Sequence, residues 1–159
     1  MKPALTSDEI RILDICRDIE HLNADIYFFF GEHFKDSKPV RELWVKTALE
    51  EQDHANQFSL AAKVKRGLVE SVNMDLFTAT STLKFVYMYF QGVKITPPTL
   101  EDALKSSIKL EERLAAFHME CVGVFTEPSQ KELFSSMMAA DNSHIESLQK
   151  AYRKICGVK

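Results

Sequence analysis

Glycine and proline are scarce in this sequence, with five residues of each among 159. Because these two residues end or interrupt helices, their scarcity favours long helices joined by few turns. Three cysteines, Cys16, Cys121 and Cys156, are scattered and form no Cys-x-x-Cys pair. Their odd number and spacing indicate a reducing compartment and exclude a rubredoxin-type iron site within this sequence.

Neither a concentrated charge nor a long apolar run is present. Charged residues make up 27% of the chain, both signs are mixed, and the net charge is −3. Nucleic-acid binding needs a clustered basic face, so we expect no nucleic-acid partner. No apolar run reaches the roughly 18 residues of a membrane span, and charged residues interrupt the first apolar stretch, where a signal peptide would lie. We therefore expect a cytoplasmic protein with no membrane partner.

Turn-forming residues divide the sequence into five predicted helices. The length predicts a single domain over residues 1–159. Within it we expect one helix pair over about 7–66 and a second over about 99–156, with an additional crossover helix over about 75–93. Alternating strand patterns are absent, so the predicted class is all-α.

Each of the four long predicted helices carries an apolar stripe that a carboxylate interrupts near its middle. These four carboxylates are Glu20, Glu51, Glu111 and Asp141. A carboxylate buried alone costs several kcal/mol, so it is normally neutralised, paired or bound to a metal. Two divalent cations would balance the four charges.

Two histidines lie on the same stripes. His54 follows Glu51 by three residues, and His144 follows Asp141 by three. Three residues are about one helical turn, so both side chains of each pair can reach one metal ion. Mixed imidazole and carboxylate ligands suit iron or manganese. Glu50 is the competitor of Glu51 on the second helix, and we expect its side chain in solvent.

The combined pattern meets a rule for dinuclear sites in helix bundles. Such sites take a Glu from each of two helices and a Glu-x-x-His motif from each of the other two. The sequence therefore predicts a two-metal site formed by Glu20, Glu51, His54, Glu111, Asp141 and His144. Any of these residues alone would more often be a surface carboxylate or an ordinary histidine; their joint spacing favours the metal site.

An internal repeat supports this interpretation. Tyr27 follows Glu20 by seven residues, as His118 follows Glu111, and the two Glu-to-carboxylate separations between helices are 31 and 30 residues. Two helix pairs with one ligand layout would pack about a pseudo-twofold axis. His118 would then mirror Tyr27. It could bond to a ligand carboxylate, carry protons, add a ligand, or be an ordinary part-buried histidine.

These motifs resemble those of the rubrerythrin-like branch of the ferritin-like superfamily. The resemblance covers the four bundle helices through Ile19-Glu20, Tyr27 and the segments Leu49 to Ala55, Leu110 to His118 and Asp141 to His144. It implies a ferritin-like four-helix bundle that holds two iron ions. By it, Glu20 and Glu111 would be terminal ligands, Glu51 and Asp141 bridging ligands, and His54 and His144 would each bind one iron. Tyr27 would bond across the site to a ligand carboxylate.

The sequence departs from the rubrerythrin pattern in three ways. Leu114 stands where a rubrerythrin has a further Glu, Asp141 replaces a Glu, and no rubredoxin segment is present. The six-ligand set is closer to that of bacterioferritin-type ferroxidases. Gln52 stands where a bacterioferritin has its haem-binding Met, so we expect no haem.

The expected function is that of a di-iron oxidoreductase that reacts with peroxide or dioxygen, as a peroxidase or a ferroxidase. Its electrons would come from a separate donor such as a rubredoxin. One alternative is a non-catalytic iron-binding or sensing protein, and another is a hydroxylase acting on an organic substrate. The aromatic residues of the crossover segment, such as Phe77 and Tyr87, would pack on the bundle or form a homodimer face.

Overall fold

The computed structural model describes residues 7–63, 76–122 and 128–157. These ranges contain five helices and no strand: α1 Ser7–His33, α2 Lys38–Lys63, α3 Leu76–Ile95, α4 Leu100–Val122 and α5 Pro128–Cys156. The predicted all-α class is thereby confirmed. The predicted end of the second helix, at about residue 66, lies outside the described residues. No helix in these ranges is long and apolar enough to cross a membrane.

Local sequence signals explain several helix ends. Pro39 lies in the first turn of α2, where a missing backbone N–H costs nothing. Thr99 caps α4, since its Oγ1 accepts a hydrogen bond from the backbone N–H of Asp102 at 3.2 Å. Gly157 follows α5 with a φ of +65°, the left-handed conformation that ends many helices.

The helices pack as two pairs. Helix α1 packs along α2, α4 packs along α5, and α2 also approaches α5 between the pairs. One aromatic group lies where α1 meets α2: the indole of Trp44 is fully buried, with its ring centroid 5.5 Å from that of Tyr27 and 5.1 Å from that of Phe30. This arrangement of four helices with a crossover helix is the predicted ferritin-like bundle.

Helix α3 packs on the outside of the bundle, against α1. The ring of Phe90 makes an edge contact with that of Phe29, and the guanidinium of Arg113 on α4 lies 4.0 Å over the ring of Phe85. Phe77 and Tyr87 on the same helix are exposed. Bundle packing therefore accounts for only some of the aromatic residues of α3, and the homodimer stays a prediction.

Candidate metal centre

The structure brings all six predicted ligand residues together in the interior of the bundle. Every one of them is buried, and the three glutamates and Asp141 have no exposed surface. Helix α1 supplies Glu20, α2 supplies Glu51 and His54, α4 supplies Glu111, and α5 supplies Asp141 and His144. The stripes that predicted these residues thus converge on one region.

Two groups of side chains within this region could each hold a metal ion. Site A consists of Glu51, Glu111, Asp141 and His144, and site B of Glu20, Glu51 and His54. In each group, one potential ligand atom per residue lies within 4.8 Å of all the others. Glu51 belongs to both groups, so its two oxygens can serve two neighbouring ions.

The histidines face the carboxylates through their Nδ1 atoms. In site B, Nδ1 of His54 lies 3.2 Å from Oε2 of Glu51 and 3.8 Å from Oε2 of Glu20. In site A, Nδ1 of His144 lies 3.0 Å from Oε1 of Glu51 and 3.7 Å from Oε2 of Glu111. Each imidazole therefore meets a carboxylate from its own helix pair and, in site A, one from the opposite pair.

The donor atoms of this centre fit a pair of divalent metal ions. Among the described residues, seven buried atoms of the centre have no hydrogen-bond partner: Oε1 and Oε2 of Glu20, Oε1 of Glu51, Oε2 of Glu111, Oδ1 of Asp141, Nε2 of His118 and Nδ1 of His144. Unpaired buried polar atoms are rare and cost about 1–3 kcal/mol each. Such a concentration of oxygen and nitrogen donors suits iron or manganese.

The electrostatics of the centre follow from burial and mutual contacts. Burial would lower the pKa of His54, but its contacts with Glu20 and Glu51 prevail and raise that pKa to about 10. The pKa of His144 rises to about 12 because contacts with Glu111 and Glu51 likewise outweigh burial. Burial would raise the pKa of Glu20, yet contacts with Glu51, His118 and His54 lower it to about 2. The carboxylates thus hold protons on the histidines, and an entering metal ion must displace them.

Tyr27 and Asn23 position Glu111. The hydroxyl of Tyr27 donates a hydrogen bond to Oε1 of Glu111 at 2.5 Å, and Nδ2 of Asn23 donates to the same oxygen at 3.4 Å. Oε2 of Glu111 has no hydrogen-bond partner within the described part of the chain. Burial and the charge of Glu111 raise the pKa of Tyr27, so its hydroxyl stays protonated as a donor. Sequence reasoning missed Asn23, although it lies three residues after Glu20 on the same helix face.

Removal of the Tyr27 hydroxyl tests this positioning. We expect Tyr27→Phe to weaken metal binding in site A by about 10- to 100-fold, the usual effect of losing a hydrogen bond to a ligand. Anaerobic titration with ferrous iron measures the affinity. Tyr87→Phe, a change at an exposed tyrosine, is the matched control. Equal affinities in the two variants would contradict a positioning role.

His118 lies between candidate ligand residues of the two sites and is almost completely buried. Its Nδ1 lies 2.5 Å from Oδ2 of Asp141, and its Nε2 lies 2.9 Å from Oε1 of Glu20. Tyr27 on α1 reaches Glu111 on α4, and His118 on α4 reaches Glu20 on α1. The pseudo-twofold relation between these positions therefore extends to their contacts.

Glu50, whose side chain we expected in solvent, is partly exposed but also contacts the centre. Its Oε2 lies 2.5 Å from Nε2 of His144, and its side chain is only 39% exposed. The approach of α2 to α5 brings this carboxylate to the outer nitrogen of the imidazole. A carboxylate in that place fixes the orientation of a metal-binding histidine. The position equivalent to Glu50 on α5 is Ala140, so His54 receives no carboxylate from there.

The contact between Glu50 and His144 leads to a second prediction. We expect Glu50→Ala to lower the metal affinity of site A by about 10- to 100-fold without abolishing loading. Asp53→Ala, a change at an exposed carboxylate on the same helix, should leave the affinity unchanged. Competition with a chelator measures both variants. A loss of affinity common to both would indicate an effect of surface charge instead.

A bundle of two helix pairs with carboxylate and histidine groups at its centre defines the class of ferritin-like carboxylate proteins. A family model described as Rubrerythrin matches residues 12–152. The chain therefore belongs to the rubrerythrin family, which confirms the resemblance seen in its motifs. Members of this family are generally oxidoreductases and typically bind two irons. Comparison with curated proteins and with solved structures gave no match.

Proposed function

We propose that this chain binds two iron ions, one in each of sites A and B, and acts as a di-iron oxidoreductase on hydrogen peroxide or dioxygen. The observation that supports this most strongly is the position of Glu51, a fully buried carboxylate shared by two groups of potential ligands. Manganese is the other metal that this donor set would accept.

The roles of the residues follow from their contacts. Glu51 would bridge the two ions. Glu111 and His144 would bind the ion in site A, and Glu20 and His54 would bind the ion in site B. A bound pair of ferrous ions would supply two electrons, which with two protons would reduce one hydrogen peroxide molecule to two water molecules. The burial of the ligands keeps bulk water away from this chemistry. A separate carrier, such as a rubredoxin, would return the electrons.

A non-catalytic iron-binding or sensing role is the second candidate. Leu114, buried with 1% of its surface exposed, favours it. The family resemblance implies a further carboxylate at this position in peroxide-reducing rubrerythrins, and an apolar side chain can neither bind a metal ion nor carry a proton.

One experiment separates these functions. The chain is loaded anaerobically with ferrous iron, and hydrogen peroxide or dioxygen is then added in separate runs while oxidant consumption is followed. Two irons per chain and repeated turnover with a supplied reductant would support the oxidoreductase. Stable loading without turnover of either oxidant would favour the sensing role. If the chain binds no ferrous iron, both the oxidoreductase and the sensing role are excluded.

A further inference from the structure

The two sites differ in the number of residues that surround them. Site A contains four residues, whereas site B contains three. Under the ligand roles set out above, the ion in site B would be held by one protein residue fewer than its neighbour. His118 lies outside the group whose ligand atoms are all within 4.8 Å of one another, but it borders site B. Its Nε2 lies 2.9 Å from Oε1 of Glu20, and neither atom has a hydrogen-bond partner among the described residues.

This separation of 2.9 Å fits an ion pair, and it equally fits two atoms bound to one metal ion. Metal–ligand distances of about 2.1 Å at right angles place neighbouring donor atoms about 3 Å apart. In site A, Nδ1 of His144 and Oε1 of Glu51 are likewise 3.0 Å apart, and again neither atom has a hydrogen-bond partner. His118 and Glu20 thus repeat in site B the arrangement of a histidine and a glutamate in site A.

The contact of Tyr27 with Glu111 differs from that of His118 with Glu20, and the difference bears on whether His118 is a metal ligand or a hydrogen-bond donor. The Tyr27 hydroxyl is bonded to Oε1 of Glu111, and that leaves Oε2 of Glu111 as the atom without a partner. Both oxygens of Glu20 have no hydrogen-bond partner although His118 is adjacent. His118 thus contacts Glu20 from the position that mirrors Tyr27, but this contact leaves both Glu20 oxygens open to a metal ion, whereas the Tyr27 hydroxyl occupies one oxygen of Glu111.

Asp141 holds the imidazole of His118 in the orientation that a ligand needs. Nδ1 of His118 lies 2.5 Å from Oδ2 of Asp141 in a hydrogen bond. A histidine that donates its Nδ1–H to a carboxylate presents the lone pair of Nε2 to a metal ion. Oδ1 of Asp141 has no hydrogen-bond partner in the described ranges, so this oxygen is available to site A.

We propose that His118 binds the metal ion of site B through Nε2, and that Asp141 binds the ion of site A through one oxygen while its other oxygen orients His118. Each ion then has four protein ligands, and Glu51 is the single bridging carboxylate. The inference rests on the proposed two-metal function. It replaces the second bridge that the family resemblance implied for Asp141.

Cobalt(II) tests the inference without reliance on activity. The full chain is freed of metal and titrated anaerobically with cobalt, and X-ray absorption of the loaded protein counts imidazole ligands. We expect three imidazoles per cobalt pair in the natural chain and two in His118→Gln, a variant that keeps a donor toward Asp141. We also expect the site B affinity of this variant to fall by more than the roughly 10- to 100-fold that loss of an outer-shell partner costs, with site A unchanged.

A natural chain that binds two cobalt ions with two imidazoles would overturn the role of His118 and leave the two-metal function standing. His118→Gln with the affinity and spectrum of the natural chain would have the same meaning. A natural chain that binds no cobalt pair would overturn both. If His118→Gln fails to fold, the imidazole count in the natural chain decides alone.

Discussion

Replacement of Glu51 by alanine is expected to abolish binding of both metal ions. Glu51 belongs to site A and to site B, so its loss removes a ligand from each ion and the bridge between them. Glu111→Ala, by contrast, should empty site A and leave an ion in site B, because Glu111 belongs to site A only. Metal analysis after anaerobic loading and desalting gives the stoichiometry of each variant.

The Glu51→Ala variant should lose metal binding without losing the ability to fold. Burial and the nearby charge of Glu20 raise the pKa of Glu51, so its carboxylate is unfavourably placed without a metal ion. Loss of that group offsets part of the cost of the cavity left by alanine. We therefore expect metal-free Glu51→Ala to fold, but to gain no stability from ferrous iron.

The natural chain should gain about 4 kcal/mol in its free energy of unfolding from a metal present at 1,000 times its dissociation constant. Urea unfolding with and without ferrous iron measures this gain under anaerobic conditions. Gln52→Ala is the matched control, since Gln52 is the exposed neighbour of Glu51. Two irons retained by Glu51→Ala would show that the metals bind elsewhere.

The metal-free protein is expected to be most stable in mildly acid solution and to lose stability as the pH rises. The pKa of His54 rises from 6.5 to about 10 on folding, so its contribution is complete below pH 6.5 and disappears as the pH rises through 10. His144 acts in the same direction, with a folded pKa of about 12. Burial also raises the pKa of Asp141, which makes its ionisation at higher pH unfavourable.

Glu20 limits the stable range on the acid side. Its pKa falls from 4.5 to about 2 on folding, so its contribution is complete above pH 4.5 and is lost as the pH falls through 2. Because the pKa values of Glu51, Glu111 and Asp141 are raised, their ionisation already costs stability above about pH 4.5. Maximal stability of the metal-free chain should therefore lie at the lower end of the range from about pH 4.5 to 6.5. From there to pH 9 we expect a decrease on the order of a few kcal/mol.

Metal binding should reverse this trend. Metal affinity increases with pH because deprotonated imidazoles and carboxylates bind metal ions. The increase in the free energy of unfolding caused by manganese should therefore be larger at pH 9 than at pH 5. Urea unfolding at several pH values, with a chelator or with manganese, measures both curves. His54→Gln should flatten the metal-free curve, whereas a change at the exposed His21 should not. Metal-free stability that increases between pH 6 and 9 would contradict the proposed charge balance.

The helices were predictable because their signals are local. Pro39, Thr99 and Gly157 lie at helix ends for reasons that depend on a few neighbouring residues. The shared location of the six candidate ligand residues was predictable for a related reason. Helical periodicity alone places a carboxylate on an apolar stripe, and burial of such a stripe requires the charge to be compensated.

What the sequence by itself determined is therefore the all-α class, the helix pairs and the set of residues that share the interior. Tertiary structure alone decided which atoms meet across the bundle. The contact of Glu50 with His144 depends on the approach of α2 to α5, and the place of His118 between Glu20 and Asp141 depends on three helices at once. Helical periodicity assigns a residue to a face, but the rotation and separation of neighbouring helices set the distances between their side chains. Those distances decide whether His118 is a hydrogen-bond donor or a ligand.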